Sequence, residues 1–116
     1  MKDIKIWHNP KCSKSRASFA LLDEKNIDVE VIKYLDAPPT EEELKALLLM
    51  LGMQPRELMR TKEDIYKELN LQEEDDNATL IQAMVNHPKL IERPIVIKGD
   101  RAVIGRPIEN VIELLG

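Results

Sequence analysis

Ile4-Lys5-Ile6-Trp7-His8-Asn9-Pro10-Lys11-Cys12-Ser13-Lys14-Ser15-Arg16 is the stretch on which the fold turns. Residues 4–7 read as a short strand, and His8-Asn9-Pro10 ends it, because proline and the residue before it resist regular structure. A turn follows. The spacing then predicts a helix from about Ser13 to Lys25 with Phe19 and Leu22 inward, and Val29-Glu30-Val31-Ile32 alternates as a second strand. Strand, helix and strand in so few residues form a βαβ unit, with parallel strands and a right-handed crossover.

Outward from this unit the punctuation changes. Thr40-Glu41-Glu42-Glu43 is a capping box, followed by Leu44, Leu47, Leu48 and Leu51 at one-face helical spacing and by Gly52 as the stop. Arg56 to Met59 suits a short turn. Thr61 to Leu69 is expected as a helix with Ile65 and Leu69 inward, and Asn77 as the cap of another carrying Leu80, Ile81, Met84 and Val85. Gln72 to Asp76 is a polar, acidic loop. After Pro94, Ile95-Val96-Ile97 and Ala102-Val103-Ile104 flank a tight turn centred on Gly99-Asp100. Pro107 suits the first turn of a last helix with Ile108, Val111, Ile112 and Leu115 on one face. The order βαβ, helices, ββα implies an α/β fold: a mixed four-stranded sheet with flanking helices, the element order of a thioredoxin-like (glutaredoxin-type) domain. We expect one domain over residues 1–116, with a helical insertion at about 38–90.

Composition narrows the function classes. With 116 residues, 43% hydrophobic and 33% charged, the chain has the balance of a globular protein with a single core. The N-terminus lacks an apolar signal core, and the apolar run Ala46 to Leu51 is too short for a bilayer, so a cytoplasmic protein without membrane contact is expected. A net charge of −4 argues against nucleic-acid binding. The one cysteine excludes an intrachain disulfide, and with two scattered histidines no metal site is expected. Any redox chemistry must borrow a second thiol. Nothing marks a dimer surface, which leaves monomer as the default.

Cys12 falls at the start of the first helix, where unpaired N–H groups and the helix dipole favour a thiolate; Lys11, Lys14 and Arg16 add positive field. Its pKa should lie below the usual thiol range. The plainer reading, a small apolar filler, fits poorly with such polar neighbours. Ser15 reads either as a hydrogen-bond partner of the sulfur or as an ordinary first-turn serine. His8 reads either as an electrostatic modulator of the thiolate or as a strand-end histidine bonded to backbone. Arg93 before Pro94 and Arg106 before Pro107 stand at junctions that can aim side chains into a site, and Arg60 before Thr61 is a third candidate. A guanidinium offers an oxyanion two parallel charge-assisted bonds, although an arginine taken singly is more often a surface residue than a ligand.

His8-Asn9-Pro10-x-Cys12-x-x-Ser15-Arg16, Arg60, Arg93-Pro94 and Gly105-Arg106-Pro107 together resemble the glutaredoxin-linked, glutathione-dependent arsenate reductase family from end to end. The resemblance implies a thioredoxin-like fold with a cis proline at Pro94, attack of Cys12 on arsenate, and an oxyanion held by Arg60, Arg93 and Arg106. It makes His8 and Ser15 modulators of the thiolate. It implies glutathione as a co-substrate that attacks the Cys12 adduct, glutaredoxin as the partner that reduces the mixed species, arsenite as product, and no tightly bound cofactor. Ser13-Lys14 departs from the small neutral pair of the best-established members and gives the Cys-Ser-Lys-Ser form of a related subgroup. Two rivals share the fold. One is a redox-linked transcriptional adaptor binding RNA polymerase, in which a disulfide switch is excluded here because Ser15 fills the second CxxC position. The other is a general monothiol reductase of glutathione mixed disulfides, with little need for three oxyanion arginines.

Overall fold

A computed structural model describes residues 4–116 of the chain. They divide into two compact units, the residues up to Ala37 with Arg93–Gly116, and Pro38–Glu92.

The first unit is built on four strands, β1 (Ile4–Trp7), β2 (Val29–Ile32), β3 (Ile95–Lys98) and β4 (Arg101–Ile104), in the sheet order β2-β1-β3-β4. β1 runs parallel to β2, with Ile4 opposite Val29, and antiparallel to β3, with Ile6 opposite Val96; β3 and β4 form the hairpin. Gly99 turns that hairpin at φ +62°, a left-handed conformation that glycine adopts without a Cβ clash. Because side chains alternate across a strand, Ile4 and Ile6 share a face with Val96. Helix α1 (Ser13–Glu24) places Leu22 on that face, and the C-terminal helix α6 (Glu109–Leu115) adds Val111 and Leu114. Phe19, Ile27, Val29 and Val103 close around this cluster. Each fully buried aliphatic side chain there contributes about 1.5–3 kcal/mol of transfer free energy. On the opposite face Trp7 stacks on Tyr34, with ring centroids 6.2 Å apart. This mixed sheet with its flanking helices is a thioredoxin-like fold.

The second unit is helical. Helix α2 (Glu41–Leu51) begins with the expected capping box: Thr40 Oγ1 accepts from Glu43 N at 3.1 Å, and Thr40 N donates to Glu43 Oε1 at 2.9 Å. Gly52 ends it at φ +67°. Leu44, Leu47 and Leu48 are buried in contact with α5 (Asn77–Asn86), which contributes Leu80, Ile81 and Met84. Between them lie α3 (Pro55–Leu58) and α4 (Asp64–Glu68), and short 3-10 turns occupy Leu71–Glu73 and Pro88–Leu90. Helix α6 (Glu109–Leu115) belongs to the first unit.

Three helices differ from expectation; in α5, Asp76 takes the N-cap position expected for Asn77, which is the first helical residue. The one expected from Thr61 to Leu69 is only Asp64–Glu68, and its inward residue is Tyr66; Leu69 is 44% exposed. Met59 pairs with Ile91 in an isolated bridge and Arg60 N donates to Leu90 O at 2.7 Å, so the backbone before Thr61 is held extended. Tyr66 turns inward because its hydroxyl meets Arg56, whose guanidinium also binds the carbonyls of Leu71 and Glu74. In α6 the buried residues are Val111 and Leu114, and Ile112 is 47% exposed. This helix starts two residues after Pro107, and its buried face is the i, i+3 pair Val111 and Leu114.

Candidate active site

The turn between β1 and α1 presents a sulfur to the helix N-terminus. Asn9 organises it: its Oδ1 accepts from Lys11 N at 3.0 Å, and its carbonyl accepts from Cys12 N at 3.0 Å. Cys12 thereby takes the N-cap position of α1, with extended φ −98° and ψ 124°, and its carbonyl accepts the first helical bond from Arg16 N. The N–H groups of Ser15 and Lys14 face the sulfur and favour its anion, without closing a capping bond of ordinary geometry.

Charge completes the arrangement. Arg106 Nη2 donates to Cys12 Sγ at 3.3 Å, and Arg106 Nε donates to Arg93 O at 2.7 Å. The Nε and Nη1 atoms of Arg93 are buried and have no hydrogen-bond partner among the described residues. Buried guanidinium donors left open are costly, and an anion brought beside them would satisfy them. Burial alone would raise the Cys12 pKa. The Ser15 and Lys14 N–H groups and the charges of Arg93 and Arg106 outweigh it, and the net direction is down.

Arg106 reaches the sulfur, and the charge of Arg93 acts on it, because the backbone comes close. The Arg93-Pro94 bond is cis, as the resemblance implied, and Arg106-Pro107 is cis as well, which nothing in the spacing announced. Gly105 N donates to Pro94 O at 2.8 Å. A Cβ on Gly105 would lie 2.7 Å from Ser18 Oγ and 2.8 Å from Pro94 Cγ, so only glycine permits this approach of the β4 exit to α1. An open groove of about 440 Å³ runs between α1 and the 105–109 turn, lined by Lys14, Ala17, Arg106 and Glu109 among others.

Ser15 is buried, but its hydroxyl does not serve the sulfur. Ser15 Oγ accepts from Asn9 N at 2.9 Å and shares a hydrogen bond with His8 Nδ1 at 2.7 Å; only its backbone N–H faces Cys12. His8 is buried and tilted against Phe19 at 5.4 Å. Burial first, and Lys33 second, lower its pKa, so the ring is neutral at neutral pH and its link to the cysteine runs through Ser15. Arg60 belongs to the helical unit, where its guanidinium pairs with Glu63 at 2.7 Å and Glu92 at 3.6 Å. Asn110, which no motif or spacing in the sequence marks, donates from Nδ2 to Ile104 O at 3.0 Å and Arg106 O at 3.3 Å. Its only signal was a polar residue in the first turn of the last helix. Among the described residues, no three His, Cys, Asp or Glu side chains converge as metal ligands would, and no helix is long and apolar enough to cross a membrane.

A thioredoxin-like sheet with a single, charge-stabilised cysteine at the start of its first helix defines a class of thiol-dependent proteins. Within that class, the chain belongs to the ArsC family, whose pattern matches residues 7–114. It is 50% identical to the arsenate reductase of Neisseria meningitidis serogroup A over 99% of this chain and 100% of that one. It is 53% identical to the uncharacterized protein YfgD of Escherichia coli K12, over 99% and 98%. Its fold superposes on the solved structure of the arsenate reductase from Vibrio cholerae with a TM-score of 0.92, at 52% identity over 95% of each chain.

Proposed function

We propose that the chain is an arsenate reductase, acting as one domain in which the Cys12 thiolate is the nucleophile and Arg93 and Arg106 hold the oxyanion. The observation that carries this reading is the pairing of Arg106 Nη2 with Cys12 Sγ at 3.3 Å beside the open, buried donors of Arg93. A thiolate and a tetrahedral oxyanion repel each other. Fixed guanidinium groups offset that repulsion and stabilise the charge that builds as sulfur attacks arsenic. The family and the names of its full-length relatives support arsenate as the substrate.

In the proposed sequence, Cys12 Sγ bonds to As(V) and an arsenate oxygen leaves as water. Glutathione attacks the adduct, and the two electrons that take As(V) to As(III) come from the two sulfurs, which become a disulfide as arsenite departs. Glutaredoxin then restores the Cys12 thiol. A single cysteine cannot resolve its own adduct, so an external thiol is a chemical requirement of this scheme. Its identity as glutathione, and Arg60 as a third oxyanion ligand, rest on the family resemblance.

The test is arsenite formation by the purified chain with arsenate, glutathione, glutaredoxin and an NADPH-driven glutathione reductase, each thiol component omitted in turn. Turnover that needs both glutathione and glutaredoxin supports the scheme. Equal turnover without glutaredoxin would replace the partner, and no arsenite in the complete mixture would remove the substrate.

A further inference from the structure

Arg106 is an exposed residue, yet its guanidinium is aimed at one atom of a buried side chain, and the aim comes from its backbone. Asn110, in the first turn of α6, donates to the carbonyls of Ile104 and Arg106, the two residues that flank Gly105. An amide nitrogen has two hydrogens, so one can go to each carbonyl. Turned over, the amide would place Oδ1 against both carbonyl oxygens, so chemistry fixes its orientation. On the other side of the same three residues, Gly105 N is tied to Pro94 O, and Arg106 Nε to Arg93 O. The turn is thus gripped from α6 and from the Arg93-Pro94 junction at once.

We propose that Asn110 is a positioning residue: by clamping the carbonyls of Ile104 and Arg106 it fixes the turn from which Arg106 reaches the Cys12 sulfur. It touches neither the sulfur nor substrate, and it acts only through Arg106. The inference rests on Cys12 as the reacting thiol, but its test uses no arsenate, so failure of the proposed substrate leaves it standing.

The experiment is a double-mutant cycle read by the pH dependence of Cys12 alkylation with iodoacetamide, in wild type, Asn110→Leu, Arg106→Ala and the double variant. In the wild-type background Asn110→Leu raises the midpoint, equivalent to a threefold to tenfold (order of magnitude) fall in the thiol's acid dissociation constant. In the Arg106→Ala background the same substitution leaves the midpoint where Arg106→Ala had put it. Asn110→Ser, which is too short to reach both carbonyls, supplies the same comparison if leucine disturbs folding. No shift in wild type, or an equal shift in both backgrounds, overturns the proposal, because an amide that merely stabilises the helix start would act without regard to Arg106.

Discussion

Arg106 Nη2 donates to Cys12 Sγ across 3.3 Å, joining residues 94 positions apart in the chain. The contact brings a cation from the exit of β4 to the N-cap of α1, where backbone N–H groups already favour an anion. Local sequence placed the sulfur, and tertiary structure placed the charge.

A thiolate held this way has a pH signature in stability. The folded pKa of Cys12 lies below its unfolded value, so between the two the unfolded chain binds more protons and stability rises with pH. The contribution is complete above the unfolded thiol pKa and is lost as pH falls through the folded one. Urea unfolding of wild type and Cys12→Ser across that window should show the difference between them growing with pH; parallel curves would contradict a depressed thiol.

Arginine at 93 and 106 should not be exchangeable for lysine, which keeps the charge but loses the planar fork. Arg93→Lys and Arg106→Lys are each expected to lower kcat/KM for arsenate by ~10²–10³, the range for losing one oxyanion donor. Unchanged kinetics in Arg93→Lys would remove its two-bond role. Arg60 is already paired with Glu63 and Glu92, and the same kinetic comparison on Arg60→Lys decides whether it serves substrate or only its helical unit.

Gly105→Ala forces a Cβ to within 2.7 Å of Ser18 Oγ and 2.8 Å of Pro94 Cγ. The expected cost is about 1–3 kcal/mol of stability, as for overpacking in a closed core. Pairing with Ser18→Ala opens the tighter contact, so the double variant should recover part of the loss in denaturant unfolding. A Gly105→Ala protein as stable as wild type would show that the close approach is dispensable.

His8 gives the opposite end of the pH range. Its pKa is lowered from 6.5, so as pH falls below 6.5 the unfolded chain takes up a proton before the folded one does, and stability drops. His8→Asn retains a hydrogen-bonding group toward Ser15 and cannot titrate. Its stability should be flatter than wild type on the acid side; an identical slope would mean that other groups carry the acid sensitivity.

These expectations also mark how far the sequence could be read. Strand β1, the capping box at Thr40 and the Gly99 hairpin were legible because each is decided by a few adjacent residues. Cys12 was legible for the same reason. The inward side of α4 was not, because Tyr66 is turned by Arg56 from a separate helix, and a helix of five residues carries too little periodicity to outvote it. The sequence left the Ser15 hydroxyl open between the sulfur and an ordinary first-turn role, since spacing gives proximity without direction; His8 and Asn9 hold it. Asn110 and the cis bond at Pro107 depend on contacts made only when the β4 exit folds onto α6 and the Arg93-Pro94 junction.

The central claim is that one thiolate, Cys12, reduces arsenate. The most direct measurement is arsenite produced from arsenate in the complete glutathione and glutaredoxin mixture, wild type beside Cys12→Ser, with both proteins verified as folded. The account predicts turnover in wild type and none above the protein-free background in Cys12→Ser. Equal arsenite from the two proteins, or none from either, would contradict it.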